Sequence, residues 1–545
     1  MNSDNGAIHL IRNTCYRTSK LIERSYSRFE RFVAFSKHPL LILIIIGILL
    51  RIALIPFSFN ADMRYWGWIV DIIDNDLGLY DTEGYYYSPV WGYVLGLFTY
   101  LGKLIGITDY GSLVTEFVPY MSETYTVFDY VMNIGFSFIV KLPLLIVDII
   151  VGLLLHRFVK TVTESDIKAV MAFAMWFFCP LVLVETSVHG MFDNISALFL
   201  LLTIMLAYDR NYFSAGVAFS FSMMVKIFPI CFAFLFMAWI FKKEGWDYNG
   251  LKKLAISIAG TLVGFVILNI PSILSNNVWE IMRFFTDRLG VSVAKVNGIL
   301  PLPRIIIALV VLLVIAAIIW FVFKDRIIAV RERIRDMDPK RRDMIVLRFT
   351  IAVTVLFMIL IAAYSVISIS RNGGAGFKTY IESIAMKVMI MIAFISVALS
   401  FFIAYRFAFE KELTDRGLFT ALMLTSCFLF IWMPLPQYPI AVIPLMVLFV
   451  VMTDERFVVP FIMFTVCMAL YDLAMGGITA LFSIATYTDI IDLDLVLSFL
   501  DFYTNDSFFL EPNVIFIGLF GVLAYISMIY LPFKWLKEHN WGRLE

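Results

Sequence analysis

Residues 40–57 read LLILIIIGILLRIALIPF, eighteen residues with a single charge at Arg51. A helix that crosses the hydrocarbon core of a bilayer needs about 20 apolar residues, and similar runs recur at 254–270, 305–323 and 514–530. Of the 545 residues, 61% are hydrophobic and 16% are charged, whereas roughly 25% are charged in soluble domains. The sequence therefore predicts an all-α polytopic membrane protein with about 14 transmembrane helices.

Three of the predicted spans are short for an ordinary crossing. Residues 195–208, 212–225 and 227–241 each supply about 15 residues, or about 22 Å of helix, against a hydrocarbon core of about 30 Å. Short or broken spans are tolerated where they line protein or a water-filled cavity. We therefore expect a cavity on the external side of this half of the chain.

The distribution of basic residues predicts the orientation, because Lys and Arg gather on the cytoplasmic side. Residues 1–38 carry seven Lys and Arg against three acids, and residues 324–348 carry nine against five. Residues 58–130 carry ten acids and two basic residues, which predicts one large external loop. Within it, 86–106 is apolar and long enough to cross. An external helix that lies against the membrane keeps the later basic connectors cytoplasmic, and we favour it for that reason.

Several function classes find no support in the sequence. The formal net charge is zero, so no nucleic-acid partner is indicated. The five cysteines are scattered without a paired spacing, which is typical of small core side chains. The chain contains no HExxH, P-loop, GxSxG or clustered Cys/His pattern, so soluble-type hydrolase and NTPase chemistry is not indicated.

Polar residues at the ends of predicted spans are candidates for function, because ionisable groups in a membrane are costly. Asp62 and Arg64 follow the first span in the stretch FNADMRYW at 59–66, on the external side. The Tyr-rich stretch GYYYSPVW at 84–91, which contains Tyr87, comes next. An interfacial aromatic belt with a solvated acid is the alternative interpretation.

A second polar stretch, ETSVHGMFDN at 185–194, lies between two predicted spans. His189 and Asp193 are four residues apart and would share one face of a helical turn, although Asp193 is also a good N-cap for the next helix. Lys226, three residues before Pro229, separates two half-length helices and needs a carboxylate, a phosphate or water. A lysine that reaches the interface from a kinked helix is the alternative.

The remaining charged candidates form two groups. Arg283, Arg288 and Lys295 lie in a predicted external loop and could help to bind an anion, although basic residues in loops are usually just solvated. Lys141 and Asp148 lie seven residues apart within one predicted span, about two helical turns, and therefore on one face. This spacing predicts a structural ion pair between them.

Together these motifs resemble the GT-C superfamily of membrane glycosyltransferases that use polyprenyl-phosphate sugars. They occur in the order of that group, at Asp62, 85–91, 141–148, 189–193 and 226–229. The segment 180–230 is similar to the mannosyltransferase of GPI-anchor assembly and to bacterial family-87 enzymes. The resemblance covers about 40–300, and a short late match is formed by Gln437, Tyr438 and Pro439.

The resemblance implies a GT-C fold and the inverting transfer of a hexose such as mannose from a polyprenyl-phosphate donor, on the external or lumenal face. Asp62 would act as general base on the acceptor hydroxyl, and Lys226 would stabilise the leaving phosphate. Substrate-binding residues would be Arg64, Tyr87, His189, Asp193, Lys226, Arg283, Arg288, Lys295, Gln437 and Tyr438. Glycolipid, lipid-linked oligosaccharide, envelope polymer and protein stay open as acceptors, and membrane lipids are expected neighbours.

The same resemblance bears on metal binding and on domain organisation. Related oligosaccharyltransferases hold a divalent metal ion at the second acidic turn, but here that turn has a single nearby acid, Asp193. The sequence therefore favours a metal-independent enzyme without a cofactor, and a divalent metal stays open as the alternative. The chain divides into a basic cytoplasmic segment at 1–38, a GT-C-type catalytic module at 39–300 and a C-terminal transmembrane module at 301–545, in a prokaryotic plasma membrane or the endoplasmic reticulum.

Two other classes compete with the glycosyltransferase interpretation. A transporter or lipid-sugar flippase would equally contain interior lysines and broken helices. It would also show repeated halves and no large external loop between the first two spans, which is the reverse of this sequence. A receptor or scaffold would not depend on Asp62, His189 or Lys226 at all.

Overall fold

A computed structural model of the protein shows packed helices whose buried apolar side chains form four hydrophobic clusters among the described residues. It describes residues 27–74, 79, 85, 87–120, 123–274, 395–408, 414–432, 437–453 and 455–505, together with isolated positions within 337–352 and 515–530.

The N-terminal part contains eleven described helices and one β-hairpin. These elements are α1 (Ser27–Phe35), α2 (Pro39–Leu54), α3 (Asn60–Asp74), α4 (Pro89–Leu104), β1 (Gly111–Tyr120), β2 (Glu123–Met132), α5 (Ile134–Thr163), α6 (Asp166–Phe177), α7 (Pro180–Val184), α8 (Asp193–Tyr208), α9 (Tyr212–Val225), α10 (Ala233–Glu244) and α11 (Tyr248–Leu274). A π-helical turn at Glu185–His189 follows α7, and a 3-10 helix at Phe228–Phe232 precedes α10.

The described C-terminal part consists of helices and short 3-10 turns. These elements are α12 (Ile395–Ala408), α13 (Asp415–Trp432), a 3-10 turn at Tyr438–Val442, α14 (Ile443–Met452), a 3-10 turn at Glu455–Phe457, α15 (Val458–Gly476), a 3-10 turn at Gly477–Leu481, α16 (Phe482–Tyr487) and α17 (Leu493–Asn505).

Local sequence signals account for where several helices begin. Pro39, Pro89 and Pro180 stand in the first turn of α2, α4 and α7, where a missing backbone N–H costs nothing. The side chains of Asn133 and Ser165 cap α5 and α6 by accepting backbone hydrogen bonds from the first turn. The local sequence therefore accounts for where these helices begin.

The interior is centred on α14, which is apolar all round. Residues 443–451 are all buried, as expected for a helix without a polar face. It packs against α5, α6 and α13, and its side chains join the largest hydrophobic cluster. The apolar segment 438–452 thus forms the 3-10 turn and α14 at the centre of the helical packing.

Multiple membrane crossings are supported, although about 14 are not confirmed. Three described helices are long and apolar enough to cross, namely Ile134–Thr163, Tyr248–Leu274 and Glu455–Ala474. Two bent pairs raise the number to five if each pair is one span: α1 with α2, at 109°, and α6 with the segment Pro180–His189, at 44°. The apolar run at 305–323 lies outside the described residues, and only isolated positions of the run at 514–530 are described.

The all-helical prediction is wrong between residues 111 and 132. Here β1 and β2 form an antiparallel hairpin, with Gly111 opposite Met132 and Tyr120 opposite Glu123. Both strands are rich in β-branched and aromatic residues, which favour extended backbone. At its base, the Tyr487 hydroxyl donates to the backbone oxygen of Val131 at 3.3 Å. The external loop therefore carries helices and a hairpin, where only helices were expected.

Helix α4 corresponds to the apolar stretch 86–106 that we place outside the membrane. Its 16 residues measure about 24 Å, less than the hydrocarbon core of about 30 Å. One face is buried, and Gly102 on that face lies against the side chain of Ile139 in α5. Leu97, Tyr100 and Leu104 are exposed on the other side. These features agree with a membrane-lying helix, whose side of the membrane stays a prediction.

The predicted ion pair between Lys141 and Asp148 is wrong. The Lys141 ammonium is buried and donates to the backbone oxygens of Ile55 and Phe57, at 2.9 and 2.7 Å, and to the Ser58 hydroxyl at 2.8 Å. All three of its protons are used, and the partners lie just beyond the C-terminal end of α2, where a cation is favoured. Lys141 therefore fixes the link from α2 to α3.

Asp148 pairs instead with Arg51, the single charge of the first apolar run. The Arg51 Nε lies 3.2 Å from Asp148 Oδ2, and neither side chain is exposed. Arg51 also donates to the backbone oxygen of Phe177 at 2.8 Å, and its guanidinium lies over the Phe177 ring at 4.0 Å. The spacing rule placed both ions on one face of α5 correctly, but it could not show which neighbouring helix supplies each partner.

We expect Arg51→Met to destabilise the protein by about 3–5 kcal/mol, because it leaves the buried Asp148 carboxylate uncompensated. The double variant Arg51→Met/Asp148→Asn removes that charge and should recover most of the loss. The thermal unfolding midpoint of the detergent-solubilised chain measures both effects. Arg31→Met, at an exposed site on α1, is the control, and equal midpoints for Arg51→Met and Arg31→Met would contradict the assignment.

The orientation of the external loop can be tested by labelling single cysteines. Thr108 is exposed after α4, and Glu164 is exposed at the C-terminal end of α5. Because α5 is long enough to cross, a membrane-impermeant maleimide should label Thr108→Cys only from the external side and Glu164→Cys only from the cytoplasmic side. Labelling of both positions from one side would show that α5 does not cross as we expect.

Candidate functional site

The polar stretch at 185–194 forms a tight, buried turn, which we call the polar turn. It starts with the π-helical segment Glu185–His189, a widened turn that occurs often at functional sites. It ends at Gly190, whose φ of 79° lies in the left-handed region. The backbone N–H of Met191 donates to the backbone oxygen of Glu185 at 2.9 Å. Every residue of the turn is buried.

Two side chains in and beside the polar turn attach it to α5. The Thr186 hydroxyl lies 2.8 Å from Asp148 Oδ2, and the Asn194 amide donates to Asp148 Oδ1 at 2.9 Å. The Asn194 amide also donates to the backbone oxygen of Leu144 at 2.8 Å. The Asp148 carboxylate that pairs with Arg51 therefore also holds both ends of the polar turn.

The start of α3 packs directly on the polar turn. The backbone N–H of Phe59 donates to the backbone oxygen of Val188 at 3.3 Å. A Cβ added at Gly190 would lie 2.3 Å from Met63 Sδ, so only glycine permits this approach. The Asp62 carboxylate thereby reaches His189 Nε2 and contacts it directly.

Asp62 is the most accessible acid of this group. Its side chain is 31% exposed, whereas that of His189 is 8% exposed. Burial alone would raise the pKa of Asp62, but the hydrogen bond with His189 and the charges of Lys226 and Arg64 outweigh it and lower the pKa. Asp62 is therefore an ionised carboxylate at neutral pH.

Two further carboxylates face the other nitrogen of His189. His189 Nδ1 lies 3.2 Å from Glu185 Oε2 and 3.2 Å from Asp472 Oδ2. The Glu185 side chain is not exposed, and that of Asp472 is 2% exposed. Asp472 comes from α15, far along the chain. One imidazole is thus enclosed by three acids from three separate elements.

Lys226 lies beside Asp193 within a ring of aromatic side chains. Its Nζ is 3.1 Å from Asp193 Oδ2. The same atom lies 5.0 Å from the ring centre of Phe192, 5.2 Å from that of Tyr438 and 5.3 Å from that of Tyr87, within the range of cation–π attraction. The break between α9 and the following 3-10 helix places the lysine here.

A wall of buried aromatic residues closes the other side of the site. Trp91 and Phe192 stack with ring centres 4.9 Å apart, and Trp66 meets both edge-on. Within the described residues, neither indole N–H has a hydrogen-bond acceptor. Tyr87 joins this wall through Trp66 and Phe192. Buried indole donors usually have a partner, so these two N–H groups are donors that no described acceptor uses.

We call the six ionisable residues the polar cluster: Asp62, Glu185, His189, Asp193, Lys226 and Asp472. The cluster contains four carboxylates, one lysine and one histidine, so its acidic side chains outnumber its basic ones. Lys226 is already paired with Asp193, and three other acids surround His189. The expectation that Lys226 would receive a leaving phosphate therefore meets an electrostatic obstacle.

The structure brings together most of the predicted site residues. Six of them lie together at one place, namely Asp62, His189, Asp193, Lys226, Tyr87 and Tyr438. Arg64 lies next to Tyr65, with its guanidinium 5.3 Å from that ring centre, and Gln437 is half-buried before the 3-10 turn. The predicted residues Arg283, Arg288 and Lys295 lie outside the described residues.

Two members of the polar cluster were missed as site residues. Glu185 was part of the quoted polar stretch, but only Asp193 was counted as an acid near His189, and that count is wrong. Asp472 lies in the otherwise apolar run of α15, and an acid within a membrane segment is a candidate for function by default. That signal could have found Asp472, although not its partner.

A protein-family profile matches part of the chain. It is that of the GPI transamidase subunit PIG-U, and the match covers residues 70–303, less than half of the chain. The matched segment contains the polar turn and Lys226, whereas Asp62 and Asp472 lie outside it. No curated protein matches the chain.

This match corrects the functional prediction. The matched family is a subunit of a GPI transamidase and not a sugar-transferring glycosyltransferase. The predicted transfer of a hexose, the assignment as a hexosyltransferase and the general-base role of Asp62 in that reaction are therefore wrong. The transporter or flippase alternative gains no support either. The resemblance to GT-C enzymes is supported only in part. The matched family is related to GT-C-like folds, but no glycosyltransferase family is confirmed.

The contact between Gly190 and α3 gives a test of this geometry. Gly190→Ala should destabilise the protein by about 2 kcal/mol or more, since its Cβ overlaps Met63 and its φ is left-handed. The thermal unfolding midpoint in detergent measures the loss. Gly96→Ala is the matched control, because a Cβ there meets nothing within 4 Å. If both variants unfold alike, α3 does not pack on the polar turn.

Proposed function

We propose that the chain is a membrane subunit of a GPI-transamidase-type complex and that its polar cluster contacts the glycan headgroup of the GPI lipid. The observation that carries the proposal is the family match over 70–303, the segment that builds the polar turn and positions Lys226. In this role the protein binds and presents a glycolipid to partner subunits. It transfers no sugar itself.

The chemistry of the polar cluster supports contact with a sugar. Carboxylates accept hydrogen bonds from hydroxyl groups, and aromatic faces pack against the apolar faces of sugar rings. Tyr87 and Tyr438 are part-exposed beside Lys226, so they form an accessible edge. Binding sites of this type combine an aromatic lining with a few precisely placed polar groups.

The helices around the polar cluster support a lipid-borne ligand. α8, α9 and α10 contain 16, 14 and 12 residues, each short of the about 20 residues needed for a full crossing. Such helices are tolerated where they line protein or a cavity. They lie on both sides of the break that carries Lys226, so we expect a lipid-borne ligand to reach the site from the membrane.

The proposal also specifies partners and location. The partners are the other subunits of the complex, a protein substrate and the GPI glycolipid, and the location is the endoplasmic reticulum membrane. A polyprenyl-phosphate sugar donor is not part of the proposal, because the family match gives it no support.

Depletion of the chain from cells that express it tests the proposal. We expect protein precursors to accumulate without their anchor, together with GPI lipid that carries its full glycan. Immunoblotting of an anchored protein and mass spectrometry of extracted lipids measure the two products. The wild-type chain should restore anchoring, and His189→Ala should restore it at least ten-fold less well, because it removes the centre of the polar cluster.

The matched control is His156→Ala, which changes a histidine of α5 outside the polar cluster and should restore anchoring fully. Accumulation of GPI lipids that lack a sugar would place the chain in glycan synthesis and contradict the proposal. Normal anchoring after depletion would contradict it as well.

A further inference from the structure

We propose that Glu185, His189 and Asp472 form a binding site for a divalent metal ion. Their donor atoms, Glu185 Oε2, His189 Nδ1 and Asp472 Oδ2, all lie within 4.8 Å of one another. The three residues are buried and come from the polar turn and from α15. This inference goes beyond the proposed function and does not depend on it.

The spacing of the donor atoms fits one shared cation. His189 Nδ1 is 3.2 Å from an oxygen of Glu185 and 3.2 Å from one of Asp472. Bonds of about 2.1 Å to a six-coordinate cation place neighbouring ligand atoms about 3.0 Å apart. Two of the three pairs of donor atoms already lie near this spacing, and the third pair, formed by the two carboxylate oxygens, lies within 4.8 Å.

The hydrogen bonds of the site support a cation over a proton. His189 Nδ1 carries at most one hydrogen, and two carboxylates compete for it. Within the described residues, neither oxygen of Glu185 has a hydrogen-bond partner, although the residue is not exposed. The charged contact of Glu185 Oε2 is with His189 Nδ1 at 3.2 Å, and Asp472 shares that contact. A buried carboxylate that lacks full compensation costs several kcal/mol, and a divalent ion supplies positive charge to both acids.

Asp62 completes the arrangement from the other side of the imidazole. A histidine that binds a metal through one nitrogen almost always donates its other N–H to a carboxylate or carbonyl, which sets its tautomer. His189 Nε2 contacts the Asp62 carboxylate directly. With Nδ1 on the ion, the remaining proton lies on Nε2 and points at Asp62. Asp62 is then a positioning residue for the metal site.

The donor set indicates the class of ion. One imidazole nitrogen with carboxylate oxygens suits Mn²⁺ or Zn²⁺, whereas Ca²⁺ takes oxygen ligands only. Three protein ligands leave positions for water or for an oxygen of a bound substrate. We therefore use Mn²⁺ as the probe, because its unpaired electrons also report on nearby nitrogen.

The test titrates Mn²⁺ into the purified full-length chain in detergent after treatment with a chelator. We expect one bound ion per chain by electron paramagnetic resonance, and competition that is stronger with Zn²⁺ than with Ca²⁺. Glu185→Gln and Asp472→Asn should each weaken binding at least ten-fold. Both substitutions keep the side-chain shape and remove a buried charge, so we expect folded protein by size exclusion. Asp415→Asn, an acid outside the polar cluster, should bind as the wild type does.

A measurement on the unaltered chain keeps the test independent of variant folding. Pulsed resonance of the bound Mn²⁺ should show coupling to one histidine nitrogen, and His156→Ala should leave that coupling unchanged. Absence of bound Mn²⁺, absence of nitrogen coupling, stronger competition by Ca²⁺, or full binding by both Glu185→Gln and Asp472→Asn would each overturn the site. Because the probe is the ion alone, failure here leaves the proposed glycolipid role untouched.

Discussion

The Asp148 carboxylate is buried in the middle of α5, and donors from three other elements converge on it. Arg51 reaches it from α2, Thr186 from the polar turn and Asn194 from the first turn of α8. A carboxylate in an apolar interior is stable only with such partners around it, so the four elements are fixed relative to one another. Because two of the donors lie on either side of His189, this one ion-paired group also determines where the polar cluster forms.

Much of the candidate site could be predicted because charge in an apolar chain is conspicuous. Asp62, His189, Asp193 and Lys226 each interrupt or end an apolar run, and an interior ionisable group needs a partner. This rule does not specify the partner, so it identifies the residues but not the pairs that they form. Lys141 shows the limit. Its burial follows from its position in a span, but backbone oxygens beyond α2 satisfy it, where an acid was expected.

The parts that could not be predicted depend on contacts between distant elements. Asp472 lies 283 positions after His189, and helical periodicity assigns a residue to a face without saying which helix that face meets. The hairpin at 111–132 was missed for another reason. Its strands combine acids with aromatic and β-branched residues. Apolar and polar residues alternate too weakly in this segment to distinguish a strand from a loop. The π-helical turn has no sequence signal of its own, although Glu185 and His189, four residues apart, would share one face of an ordinary helix as well.

The chain Asp62–His189–Asp472 has the outline of a proton relay, and the charge count decides against that interpretation. A relay needs a single acid behind the imidazole, which orients it and stabilises its cation. Here Glu185 stands at the same distance from Nδ1 as Asp472 does, and one imidazole proton cannot satisfy both. A protonated histidine offers a single positive charge to three carboxylates, whereas a divalent ion bound by Nδ1 offers two and frees the remaining proton for Asp62. In a relay, burial of the second carboxylate would cost free energy and the group would have no role. In a metal site the same carboxylate is a ligand.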